Sequence, residues 1–221
     1  KVCLMTPGDS SEVLFSTDLD GGKFELKGEL DEPRHFILSV NRKKIYFLMD
    51  GRNMEISCPY SSLSDQYVKG SPANDLALEY DKLVQEGYYK GLNILVNEYK
   101  ALLDAGEQKM ADEKMTQALK MEDKYFELTR DFVRLHPDNI FSIHIANMET
   151  QGRYEKGKEL YDLLSPAMKR TTQGKELKQR VDELANSALG VPCPGIQAET
   201  EQGELITIDS LKGHFVVLDF W

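Results

Sequence analysis

Cysteine, cationic surplus and long apolar runs are all in short supply here. The 221 residues hold three cysteines, one tryptophan, and 27 Lys and Arg against 37 Asp and Glu. An odd cysteine count with no Cys-x-x-Cys pair leaves zinc-ribbon and iron-sulfur frameworks without ligands, so no metal and no other cofactor is expected. The four histidines are scattered. His136 precedes Pro137 and His144 follows eight residues later, neither with a His or carboxylate at metal spacing on the same helical face, so both read as solvated or helix-terminal. A formal charge of −10 withholds the Lys and Arg that phosphate binding draws on, which argues against nucleic acid as a partner. No run approaches the roughly twenty apolar residues of a membrane span. Lys1-Val2-Cys3-Leu4-Met5 offers one basic residue and a short apolar run, too little for a signal peptide and more like a strand interior. The natural chain is therefore expected to begin upstream.

What is present divides by charge and by period. Residues 1–74 carry 9 basic and 11 acidic groups, 75–186 carry 17 and 21, and 187–221 carry 1 and 5. In the first region apolar residues alternate: Val13-Leu14-Phe15 and Lys23 to Gly28 flank Asp20-Gly21-Gly22, which predicts a hairpin. His35 to Val40, Lys44 to Met49 and Met54 to Cys58 follow, the last two separated by Asp50-Gly51-Arg52-Asn53. Such spacing predicts a small antiparallel β-sandwich or barrel over residues 1–74. The period then becomes helical. Ala118, Tyr125 and Phe132 recur every seven residues beside Leu119, Phe126 and Val133, a core stripe on a helix from about Met110 to Leu135. Leu76 to Leu103 reads as one long or two shorter helices, with Gly87 and Gly91 as the breaks. Asp138 is expected to cap the next helix, and further helices span about 154–164 and 174–188. Short connections make residues 75–188 an antiparallel bundle, and the class is α+β.

Residues 189–221 change again. Gly190 to Ile196 is a stiff linker, Glu204 to Ile208 alternates, and Phe215-Val216-Val217-Leu218-Asp219-Phe220-Trp221 is apolar on both faces apart from Asp219. That last run is the pattern of a central strand, covered above and below, with a helix expected after it. The strand is therefore expected to be buried, and the sequence to stop inside a domain.

Leu164-Ser165-Pro166-Ala167-Met168-Lys169, Leu189 to Ile196, Ile208-Asp209-Ser210-Leu211-Lys212-Gly213 and Val216 to Trp221 together resemble the entry into TlpA-type thioredoxin-like proteins. The departures are Cys193 for a small residue, Gly195 for Asp and Ile196 for an aromatic. Upstream, Thr17 to Phe24, Gly28, Glu32-Pro33, Asp50-Gly51 and Gly70-Ser71-Pro72 resemble the domain of unknown function that precedes such folds in Bacteroidetes. The resemblance implies an exported, often lipid-anchored envelope protein of the periplasm or outer membrane that exchanges disulfides with protein substrates and a redox partner. In that family a Cys-x-x-Cys follows the Phe-Trp strand at a helix N-terminus, where the dipole stabilises the attacking thiolate. It would fall beyond Trp221, so residues 189–221 would be the first strands of a truncated thioredoxin-like fold. No residue here inherits the catalytic role.

The remaining candidates are modest. Cys193, between Pro192 and Pro194, is a redox candidate, although a small apolar filler explains it more simply because no cation or base adjoins it. Cys3 and Cys58 both fall in expected strands, and an oxidising envelope would permit a bridge. Asp18-x-Asp20-Gly21 matches the start of a calcium loop, but the downstream ligands are missing and a turn accounts for it. Three readings stay open: the redox protein; a non-catalytic envelope binding or homodimerisation module; and a peroxiredoxin relative with a single peroxidatic cysteine beyond the strand.

Overall fold

The computed structural model describes residues 1–7, 11–29, 31–64, 67–193 and 195–219. The architecture is α+β. Alternating apolar residues form four antiparallel strands, β1 (Val2–Met5), β2 (Val13–Thr17), β3 (Arg34–Val40) and β4 (Lys43–Met49), in the order β2-β1-β3-β4. Phe36 faces Phe47 and Leu38 faces Ile45 across the β3–β4 ladder, so one face of the sheet presents Val2, Leu4, Phe36, Leu38, Ile45 and Phe47, all buried. Leu19, Phe24, Leu26, Met54 and Leu63 cover them, with a two-rung ladder of β5 (Glu55–Ile56) and β6 (Val68–Lys69).

The sheet is open, neither a barrel nor a full sandwich. The covering layer is apolar enough to bury the face, but Gly21-Gly22, Gly28, Gly51 and Pro59 interrupt it too often for long strands. The expected hairpin is corrected for the same reason. Its turn forms, with Asp20 and Lys23 exchanging backbone hydrogen bonds of 2.9 Å. Its second arm then leaves the ladder and buries Phe24 and Leu26 against the sheet, with Gly28 so close to the Phe15 ring that a Cβ has no room.

The other face meets the helices where β4 adjoins the start of the first helix. Ser71 caps α1 (Pro72–Val84), its Oγ accepting from Asn74 N–H at 3.3 Å and donating to Leu48 C=O at 3.2 Å. The Asn74 amide then treats β4 as a neighbouring strand would. Its Oδ1 accepts from Leu48 N–H at 3.0 Å and its Nδ2 donates to Leu48 C=O at 2.6 Å. Asn74 is 5% exposed, so in a site closed to water the Leu48 N–H depends on it and the Leu48 C=O on it together with Ser71. A second tie joins the Glu32 carboxylate to the Thr172 N–H at 2.9 Å, at the start of α7 (Thr172–Ala185). The Thr172 side chain first, and then this N–H, lower the Glu32 pKa, as suits an anion at a helix N-terminus.

Pro72 to Asp104 runs without a break: α1, a π turn at Gln85–Tyr89, then α2 (Lys90–Asp104). α3 (Gln108–Leu135) returns antiparallel to it. α4 (Ile140–Glu149) is buried almost all round and sits among α1, α3, α5 (Tyr154–Leu163) and α7, with a short α6 (Pro166–Arg170) between the last two. Asn139, not Asp138, caps α4, because its side chain directly precedes the first turn and accepts from Phe141 N–H at 2.9 Å. The stripe on α3 divides. Phe132 and Val133 lie in the core, whereas Leu119 is 65% exposed. α2 has no buried residue, so α2 and the first half of α3 form a two-helix arm that leaves the body with apolar side chains in solvent.

β7 (Gln197–Glu199) and β8 (Leu205–Thr207) pair as a largely exposed hairpin. The strand expected from Phe215 is not formed over residues 215–219, where Phe215 and Val217 are fully or almost fully exposed. The pattern asks for strands on both sides, and among the described residues none lies beside it. Pro194, Phe220 and Trp221 lie outside the described residues.

Asn74→Ala should leave the Leu48 N–H without a partner and its C=O with Ser71 alone, lowering stability by ~1–3 kcal/mol, with Ser71→Ala costing about 1 kcal/mol. An unchanged urea midpoint for Asn74→Ala would mean that the junction does not couple the two parts. On α3, Phe132→Ala should cost ~3–5 kcal/mol and Leu119→Ala less than ~0.5 kcal/mol, measured the same way.

Candidate functional site

The π turn builds one wall of a groove at the base of the arm. Widening the helix by one residue sets Tyr88 and Tyr89 side by side, ring centroids 5.0 Å apart, just where the arm leaves the body. Gly87 makes the approach close, since a Cβ there would stand 2.8 Å from the end of Leu128. Tyr88 packs against Tyr125 of α3 at 4.9 Å. Opposite them, the corner between α4 and α5 brings Met148, Glu149 and Arg153 to the same space, an open groove of about 600 Å³.

A polar relay runs into this groove from the core. Thr129 donates to the Tyr125 carbonyl at 2.9 Å, and the Tyr80 hydroxyl lies 2.8 Å from Thr129 Oγ1 and 3.3 Å from Tyr125 Oη. Burial, then the Tyr80 hydroxyl and the Glu149 carboxylate, push the Tyr125 pKa up, which keeps its phenol protonated. Glu149 ends the relay. Its side chain is 9% exposed and its buried Oε2 has no hydrogen-bond partner. Arg153 Nη1 is 3.9 Å from that oxygen, beyond hydrogen-bond range, and pairs instead with Glu122 at 2.8 Å. Glu122 also takes Lys156 at 3.2 Å, and the two cations, Lys156 first, lower its pKa.

A second, wider groove of about 1090 Å³ opens between the covered face of the sheet and the chain over it, with Phe24, Met54 and Cys58 in its wall. It lies wholly in the N-terminal part.

Residues 2–77 match the family model for a domain of unknown function, DUF4369. No curated protein and no solved structure matches the chain. The DUF4369 segment is about a third of the sequence. It contains the whole sheet, its cover, and both Ser71 and Asn74, so the match ends just after the contact that ties sheet to helix.

Two of the sequence-predicted residues lie inside the DUF4369 segment and stay apart. Cys3 is on the sheet face opposite Leu4, and Cys58 is in the cover over the Leu4 face, so the sheet separates them. All three thiols, including the exposed Cys193, are free. The described residues contain no group of three or more His, Cys, Asp or Glu that could hold a metal ion. Nor is any described helix long and apolar enough to cross a membrane. The sequence reading missed the Tyr88, Tyr125 and Glu149 convergence, although Glu149 was visible as the one carboxylate on an otherwise apolar and neutral α4.

His144 is neither solvated nor helix-terminal. Its ring meets His35 of the DUF4369 segment at 4.2 Å and stacks on Phe141 at 5.9 Å. Burial, then His144, pushes the His35 pKa down from 6.5 to about 4, and burial alone lowers that of His144. A lowered folded pKa means that the unfolded chain binds the proton first. The contribution of this pair is therefore whole above about 6.5 and is lost as pH falls towards about 4. His35→Phe should flatten that part of the pH dependence of the urea midpoint, and an equally steep profile in the variant would contradict the assignment.

Proposed function

We propose that this chain is the binding portion of an envelope thiol–disulfide exchange protein, which holds a polypeptide partner while a thioredoxin-like unit beginning near Gly190 carries the cysteine pair. The order of the segments supports this: a DUF4369 match at residues 2–77, then helices, then Leu189 to Trp221 with their resemblance to a TlpA-type entry. The observation that carries the binding role is the distribution of apolar surface. Ile94, Leu119 and Met148 are 55%, 65% and 54% exposed on the arm and beside its base, where a lone monomer gains nothing by exposing them. The free, scattered thiols supply no attacking and resolving pair. The same exposed arm supports the second reading, a binding or dimerisation module without redox chemistry.

Insulin-disulfide reduction separates the two. The chain as given should precipitate insulin no faster than dithiothreitol alone, and a clear acceleration would remove the silent-chain proposal. The gene product extended past Trp221 through the next cysteine pair should accelerate it. Failure of that longer product leaves the binding module.

A further inference from the structure

We propose that the arm is a dimerisation element: α2 and the first half of α3 pack face to face and antiparallel against the same helices of a second copy of this chain. The inference rests on the reading of the arm as a binding surface and names the polypeptide that it takes. It involves no cysteine chemistry, so the insulin assay and the measurements below can fail independently.

The face to be covered is continuous. Leu92 and Val96 on α2 and Met115 and Leu119 on α3 line one open groove with Tyr89 and Met148 at its base. Leu103 carries the α2 stripe on to the tip, because positions 92, 96 and 103 share one side of a helix. Leu119 and Met148 are more than half exposed. The 15 residues of α2 make the arm ~22 Å long, and two helices side by side are ~20 Å wide. With the base corner added, two such faces reach the low end of stable interfaces, as suits a dimer of micromolar strength.

The base decides how a second arm lies on the first. Met148 and Arg153 stand in the groove wall there, so two arms laid with their bases together would meet at these corners first. Turned end for end, the tip of each arm enters the open groove at the base of the other. Full overlap then sets the two-fold axis across the middle of α2, at Asn97. Glu98 pairs with Lys114 at 2.6 Å and Gly91 lies against Met121, which brings Thr116 of α3 level with Asn97. In this register Lys90 comes level with Asp104 of the second copy, Lys109 with Asp123, and Asp112 with Lys120. All six side chains are exposed, and helical spacing puts them on the flanks of α2 and α3 that point away from each other. Every match is of opposite sign, and no like charges come level. Among the described residues Asp104, Lys109, Lys120 and Asp123 make no ion pair within the chain. The arm therefore asks for a helical pair of equal length with the charge order reversed, and the arm itself, turned about, is one.

Sedimentation equilibrium of the whole chain from ~1 to ~200 µM reads the association. The 25.1 kDa chain should form a species of twice that mass with a Kd of ~1–50 µM. Leu119→Glu, at a largely exposed position, should weaken association at least ~20-fold with an unchanged circular-dichroism spectrum. Lys90→Asp should weaken it ~5-fold, and adding Asp104→Lys to the same chain should restore it to within ~2-fold. A chain that stays monomeric at ~200 µM, or a Leu119→Glu variant that associates unchanged, would overturn the dimer. Further weakening by the double exchange would overturn the antiparallel register, because with bases together Lys90 comes level with Asp123 and Asp104 with Lys109. A monomeric gene product extended past Trp221, with Leu92 and Leu119 protected from hydrogen exchange, would show that a downstream segment covers the face and would overturn the second copy.

Discussion

The exchange of hydrogen bonds between the Asn74 amide and the backbone of Leu48 is the contact on which the two halves of this molecule depend. An exposed sheet edge presents unpaired N–H and C=O groups that must be paired, hydrated or blocked. Here a helix arrives and pairs them with a side chain, at 3.0 and 2.6 Å. The same residues start α1, because Ser71 both caps the helix and bonds to Leu48 C=O. Sheet edge and helix start therefore form together, and the Leu48 side chain enters the helical core rather than the sheet's own.

From that anchor the long helix runs outward in a set direction. α1 is held in the core by Ala73, Tyr80 and Val84, and the π turn at Gln85–Tyr89 follows directly. Beyond it α2 has left the body and has no buried residue. The groove lies at this boundary because only there do the arm, α3 and the α4–α5 corner converge. A buried carboxylate with one idle oxygen is costly in a folded protein.

Much of this was legible in the residues. The change from alternation to a seven-residue recurrence marked where sheet gives way to helix. The helix read from Leu76 starts at Pro72, and Gly87 and Gly91, expected as breaks, lie in a helix that continues through the π turn. What failed did so for identifiable reasons. Lys23 to Gly28 alternates like a strand, yet alternation records only which side chains are buried, and Phe24 and Leu26 are buried by lying over a face instead of joining its ladder. Leu119 keeps the stripe of Phe126 and Val133, but the stripe outruns the body it packs against. Phe215 to Asp219 has the composition of a central strand without strands beside it.

By itself the sequence determined the α+β class and where most helices lie, because periodicity and turn residues are properties of short stretches of chain. Only the tertiary structure decided that Asn74 would serve as a strand partner, that His35 and His144 would meet, and that Tyr88, Tyr125 and Glu149 would share one groove. These residues are tens of positions apart, and their neighbourhood depends on the angle at which α1 leaves the sheet and on where the arm ends its packing. No local pattern encodes either quantity, since both are set by long-range burial.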